Sequence, residues 1–193
     1  MELDDAAWSL LHELRLRGTL GSADEPVVDV LVTNGFAVRK RTLVVITPEG
    51  RAVHATWARC IVGSDTEATM RRAYERFLPL NAEFLRVCND WQVLRTGAPN
   101  DHTDIEYDWA VIDRLRTLHE RSSPVTRAMA TAMERFTTHR TRLRAALQQV
   151  ETGDTAWFTS PRIDSYHTVW MQLHEDLLLA LGIDRSEEVA ANG

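Results

Sequence analysis

The chain has 193 residues, 22 Lys+Arg against 28 Asp+Glu, and a formal charge of −6. At 44% hydrophobic and 26% charged, it has a globular composition, which excludes the disordered and collagenous classes. No apolar run approaches the roughly 20 residues that a membrane-spanning helix needs, and the net negative charge gives no overall basic footprint for nucleic acid.

The length suits one generous domain or two small ones. The acidic start, Met1-Glu2-Leu3-Asp4-Asp5, lacks a charged-then-apolar signal segment, so a cytoplasmic location with no membrane partner is expected. Cys60 and Cys88 stand in no metal or redox spacing and read as buried, reduced thiols. The basic residues are 21 arginines and a single lysine, Lys40, a choice that matches the codon bias of a GC-rich bacterial genome.

Residues 4–17 carry apolar side chains at 7, 8, 10, 11 and 14. That is helical spacing, with acids in the first turn, Arg in the last and Gly18 as a stop. The segment from Pro26 to Thr47 has two readings. Asn34-Gly35 between apolar runs can join strands at about 27–32 and 36–40. Alternatively, residues 24–33 form a short helix that Asn34-Gly35 terminates. The valines favour the strand. Asp24, Glu25 and Pro26 suit a first helical turn and favour the helix, which is the preferred reading. Residues 36–40 and 43–46 then form a hairpin turning at Arg41-Thr42. Thr47-Pro48-Glu49-Gly50-Arg51 opens a helix, with Thr47 as cap and Pro48 in the first turn.

The succession helix, Asn-Gly, strand, turn, strand and Thr-Pro-Glu-Gly-Arg resembles the wing half of the MarR-like winged-helix transcriptional regulators of bacteria. The resemblance covers about residues 5–62 and is sharpest over 34–51. It implies a recognition helix before the wing and a DNA partner. A helix-turn-helix needs two helices after helix 1, whereas the chain between Gly18 and Asn34 has room for about one, so the motif reads as truncated. The remaining helix offers Asp24, Glu25 and Asp29 and no Lys or Arg, which opposes approach to phosphates. Over residues 1–64 there are 7 basic and 8 acidic residues. The one dense cluster is Arg39-Lys40-Arg41 on the wing. Those three are the candidate DNA-binding residues, and any DNA contact is expected to be weak.

From Ser64 onward the pattern is helical. Residues 65–94 carry apolar residues at 3–4 spacing, with Pro79 expected to kink or break the run. Thr96-Gly97-Ala98-Pro99-Asn100-Asp101 marks a loop. Residues 104–120 form a helix with the stripe Trp109, Ile112, Leu115 and Leu118. Ser122-Ser123-Pro124 reads as a fresh start, with helix again over 124–150, and a last helix spans 162–182. The expected fold is mainly α with a small β-hairpin: a truncated winged-helix-like domain at 1–62 and a helical bundle at 63–193.

Enzyme motifs are absent: there is no phosphate-binding Gly loop, nucleophile elbow, His-Glu-x-x-His or Cys-x-x-Cys. No catalytic residue, cofactor or metal is therefore assigned. Asp164, His167, Trp170, Met171 and His174 share a helical segment and form the candidate pocket for a small-molecule effector. Asp164 with the two histidines could bind a metal only if another helix supplied a ligand, such as His102, His119 or Glu106. The segment 100–108 alternates oxygen-bearing residues but lacks the glycine and terminal acid of a calcium loop, so it reads as a solvated helix start. Arg135, Arg140, Arg142 and Arg144, with His139 beside them, give the 124–150 helix a basic side, either paired to acids or facing an anion. The expected function is a non-enzymatic, regulator-like homodimer with an effector or dimerisation domain. The alternative is a winged-helix remnant used for protein assembly, and a metal-dependent enzyme is the third class.

Overall fold

Asp4 opens the first helix. Its carboxylate accepts the Ala7 amide at 2.8 Å, and α1 (Asp5–Arg17) closes on Gly18, whose φ of 78° suits the one residue without a Cβ. The computed structural model describes residues 3–21 and 26–184. These hold eight helices and three short strands. They fall into two compact units: residues up to Cys60 together with those from Glu175 on, and Ile61–His174.

In the first unit, β1 (Thr19–Gly21) pairs antiparallel with β3 (Leu43–Ile46), which also pairs with β2 (Ala37–Lys40), giving the order β1-β3-β2. The expected hairpin is thus two-thirds of a three-stranded sheet. A three-residue strand is too short to show alternation, and nothing in its sequence announced it. Between β1 and β2 lies α2 (Pro26–Thr33), so the helical reading of this segment holds over the strand. Asp24 and Glu25 lie outside the described residues. The helix ends as its Asn-Gly demands: Phe36 N–H bonds to Leu31 O and Gly35 N–H to Val32 O, with Gly35 at φ 74°, which is the Schellman pattern. Val28 and Leu31 of α2 join Leu3, Ala7, Leu11 and Leu14 of the first helical segment and Ala37, Val44 and Ile46 of the sheet in one buried core.

The return from the wing into α3 (Pro48–Ala58) is tightly specified. Thr47 Oγ1 donates to Gly35 O at 2.7 Å and accepts from Gly50 N–H at 3.0 Å. Thr47 N–H bonds to Phe36 O at 3.0 Å. A Cβ on Gly50 would stand 2.1 Å from that same Phe36 oxygen, so the glycine is required by close backbone approach. The end of α8 (Tyr166–Leu181) belongs to this unit from Glu175 onward, where Cys60 N–H bonds to Ala180 O at 2.8 Å.

The second unit is helical. Ser64 caps α4 (Asp65–Gln92), which runs through Pro79 without a break. Likewise α5 (Ile105–Ala132) runs through Pro124, where a fresh start was expected. Both prolines, and the residues four before them, Glu75 and Glu120, are exposed. The carbonyls that lose a helical donor therefore face water, which lowers the cost of an interior proline. The actual break comes at Met133–Arg135, before α6 (Phe136–Glu151), where no Gly or Pro marks it. Residues 54–78, the segment from which a homodimer contact is expected, are divided between α3, a connection and α4.

A short α7 (Ala156–Thr159) buries Phe158, whose ring lies 4.7 Å from Trp91. Trp109, expected on the core stripe of α5, is 41% exposed, and Val111 is buried with Ile112, Leu115 and Leu118 instead.

Gly50→Ala is expected to destabilise the protein by about 1–3 kcal/mol or more, as overpacking against backbone does. Thr47→Ala should cost about 0.5–2 kcal/mol, the usual loss of a helix cap. Urea denaturation of both variants checks the order: the glycine change should be the more damaging.

Candidate functional site

The wing cations sit on the hairpin as expected, but they are not equally available. Arg39 Nη2 donates to Asp29 Oδ1 on α2 at 2.7 Å. The pair is exposed, so it contributes at most about 1 kcal/mol, yet a phosphate must displace Asp29 to reach Arg39. Arg41 stands at the turn with φ 57°, a conformation that costs a non-glycine residue energy. The outward side of α2 presents Asp29, Val30 and Thr33, with no Arg or Lys to pair with guanine or phosphate and only the Thr33 hydroxyl as a neutral donor. Asn34 is spent on its own helix, donating to Val30 O at 2.8 Å. Val30, Val38 and Leu43 are large exposed apolar residues of this head.

The α8 set is given separate neighbours. Trp170 is fully buried, stacks near Phe77 and Phe84 with centroids at 5.1 and 4.8 Å, and donates Nε1–H to Asn81 Oδ1 at 3.0 Å. Asp164 accepts from Arg142 Nε at 3.0 Å and lies 2.9 Å from Nη2, a charge-assisted ion pair with one hydrogen bond, Nη2 being buried without a hydrogen-bond partner of its own. His167 lies against Phe84, and burial holds its imidazole below the ordinary histidine range. Met171 is half-buried. His174 is buried with its ring tilted 5.2 Å from Phe77. Aromatic packing thus accounts for Trp170, His167 and His174, and an ion pair for Asp164.

Of the proposed outside ligands the two histidines are engaged, and Glu106 is exposed. His102 Nδ1 meets Asp108 Oδ2 at 2.9 Å, and His119 Nδ1 meets the hydroxyl of buried Tyr166 at 3.1 Å. Burial pushes that phenol far above its usual value. In the 100–108 segment, Asp101 accepts from the backbone and hydroxyl of Thr103, which holds its carboxyl below the usual range, and Asp104 caps α5 through Tyr107 N–H. These are the contacts of a helix start. Of the basic side of α6, Arg142 is taken by Asp164, and Arg135 lies over the Phe136 ring at 5.3 Å.

A polar cluster in the first unit was not foreseen. Fully buried Asp176 lies 3.3 Å from His12 Nε2, and His12 Nδ1 lies 2.9 Å from His54 Nε2. If Asp176 accepts a proton from Nε2 of neutral His12, Nδ1 is left to accept from His54, a tautomer assigned from the bonds. Trp57 tilts against both histidines, and Trp8 stacks on Trp57 at 5.1 Å. The indoles offer no nucleophile, so the arrangement ties α1, α3 and the end of α8 together as a buried hydrogen-bonded chain. The signal was available: Asp176 falls between Leu173, Leu177 and Ala180 on an apolar stripe, and His54 is in step with Gly50 and Ala58 on the buried face of α3.

Two measurements follow from this packing. Trp170→Ala should cost about 3–5 kcal/mol, and His174→Ala less, read from denaturant midpoints. For pH, His119 and His167 both have imidazoles depressed in the fold, so the unfolded chain takes up their protons first. Stability is then lost as pH falls from about 6.5, the unfolded value, towards the folded ones. His167→Gln should lose less stability than the wild type between neutral pH and pH of about 5, and an identical loss would contradict the depressed value. No family model, characterised protein or solved structure matches the chain.

Proposed function

We propose that this is a non-enzymatic, regulator-like protein. A shortened winged-helix head makes at most weak, sequence-indifferent DNA contacts, and the helical unit serves as an effector or dimerisation module. The observation that carries this reading is the succession α1–β1–α2–β2–β3–α3 with sheet order β1-β3-β2. The wing follows directly on a helix ended by Asn34-Gly35 and returns through the Thr47–Gly50 junction. Only one helix separates β1 from β2 among the described residues, which supports a lost partner helix and, with it, lost groove reading. Lys40 and Arg41, which have no acid partner among the described residues, remain as the phosphate contacts, and phosphate contacts position a protein without reading sequence.

The second reading, a head turned to protein assembly, is favoured by exposed Val30, Val38 and Leu43, an apolar surface of the kind that protein contacts cover.

Duplex binding measured against salt separates the two. The first reading expects dissociation constants of about 10⁻⁴–10⁻⁶ M and, for a homodimer offering four free cations, a slope of about −4 in log K against log salt. Asp29→Ala should strengthen binding by releasing Arg39. Lys40→Ala with Arg41→Gly should abolish it, the glycine removing a charge at a positive-φ position without adding strain. Nanomolar, sequence-selective binding that survives the double change would overturn the reading. Absent DNA binding, with self-association lost in Val38→Glu, would favour assembly.

A further inference from the structure

A cleft of about 250 Å³ lies between α5 and α6, lined by His119, Ser122, Thr126, Arg127, Arg140 and Arg144 among others, with no carboxylate in its lining. Its floor is buried, at Ser122, Thr126 and Leu143, and Arg127 and Arg144 stand exposed at its rim. We infer that this cleft binds a phosphate-type oxyanion, either inorganic phosphate or the phosphate group of a small phosphomonoester. The inference goes beyond the reading of the head and stands whether or not the head meets DNA.

The arginines of the two helices divide sharply. Arg114 pairs with Asp90, Arg116 with Glu151, Arg121 with Glu83 and Arg142 with Asp164. Arg127, Arg140 and Arg144 have no carboxylate partner among the described residues, and these three line the cleft. Arg140 and Arg144 are four apart on one helix, where like charges repel, and guanidinium cannot relieve the repulsion by losing a proton. An oxyanion removes that cost, and the guanidinium forks match its oxygens in geometry.

The hydroxyls of Ser122, Thr126 and Thr141 donate to carbonyls of their own helices, so the guanidiniums are the main donors offered to a ligand, with Ser123 beside them. Three cations and no anion favour a dianion with oxygens on several sides over a monocarboxylate with two. His119 lines the cleft without adding charge. Burial, with help from Arg144 and Arg140 and against Glu151 and Glu120, holds its imidazole below the ordinary range. The neutral ring therefore adds no fourth charge at neutral pH, and Nδ1 is fixed by Tyr166. The volume is below the about 300–1,000 Å³ of usual ligand pockets, which limits the ligand to phosphate or a phosphate with a small organic group.

The test is titration of the full chain with inorganic phosphate at constant ionic strength set by chloride, read by phosphorus NMR and by thermal melting. Saturable binding with a rising melting temperature is expected. Arg140→Gln with Arg144→Gln should weaken it at least about tenfold, the minimum for losing charge-assisted hydrogen bonds, and Arg114→Gln, outside the cleft, should leave it unchanged. Glycerol phosphate binding more tightly than phosphate would identify a phosphomonoester; equal or weaker binding would identify the free ion. Independently of any variant, phosphate should protect Arg140 and Arg144 of the wild type from phenylglyoxal modification. Binding that is not saturable, that chloride reproduces, or that the double variant retains would overturn the assignment.

Discussion

The head is organised around one carbonyl. Phe36 O accepts the Thr47 amide and lies so close to Gly50 that no side chain fits between them. That contact fixes where β3 ends, where α3 begins and how far the wing can lean from α2. Thr47 serves both sides of the junction, bonding forward to Gly50 N–H and back to Gly35 O. The termination of α2 and the initiation of α3 are therefore one structure separated by a hairpin. Moving either end would leave a backbone donor unsatisfied or force a Cβ into a carbonyl. The exposed positions of the wing carry none of this, which leaves Lys40 and Arg41 free to vary in use without disturbing the fold.

These local rules explain why the head was legible. Asp4, Gly18, Asn34-Gly35 and Thr47-Pro48 each act on residues within a few positions of themselves, and the structure starts or ends a helix at each. The helical unit was less so, because its interruptions depend on solvent and packing. Pro79 and Pro124 look like breaks in a linear reading. Each falls on an exposed face, where water can satisfy the abandoned carbonyl, and the helices continue. Met133–Arg135 carries no breaker, yet the chain leaves the helix there, with Met133 turned to extended backbone and its amide still held by Met129 O. Met129 and Phe136, on either side of this turn, are both buried, and burial of that kind leaves no breaker residue in the sequence.

The candidate site divides along the same line. Trp170 was legible as an apolar position, and its hydrogen bond to Asn81 was not, since Asn81 lies on another helix. Asp164 and His167 gave a suggestive local pattern, and distant residues decided their roles: Arg142 for the acid, Phe84 for the histidine. Asp176 and His54 show the converse. Polar residues in register with apolar stripes are a detectable anomaly, because a buried charge demands a partner. What the pattern could not supply was the partner, His12, on the first helix of the chain.

Because nearly every cation of this protein is arginine, its surface chemistry is set less by where positive charge occurs than by where a carboxylate stands opposite. On the hairpin, Arg39 is held in an internal pair by Asp29 of α2. On α5 and α6, four arginines are paired in the same way, by Asp90, Glu151, Glu83 and Asp164. A cation so paired offers an outside ligand only what remains after the native partner is displaced. Among the described residues Arg127, Arg140 and Arg144 carry no such competing acid, and they line one recess whose floor is buried. Holding three like charges close together is unfavourable, and an anion that enters offsets that repulsion. Selectivity follows from the same arrangement: chloride brings one charge and no directional acceptors, whereas a phosphate meets the forks with oxygens on several sides. The acidic balance of the whole chain is therefore compatible with a strongly anion-seeking cleft, since the charges that set the balance lie elsewhere.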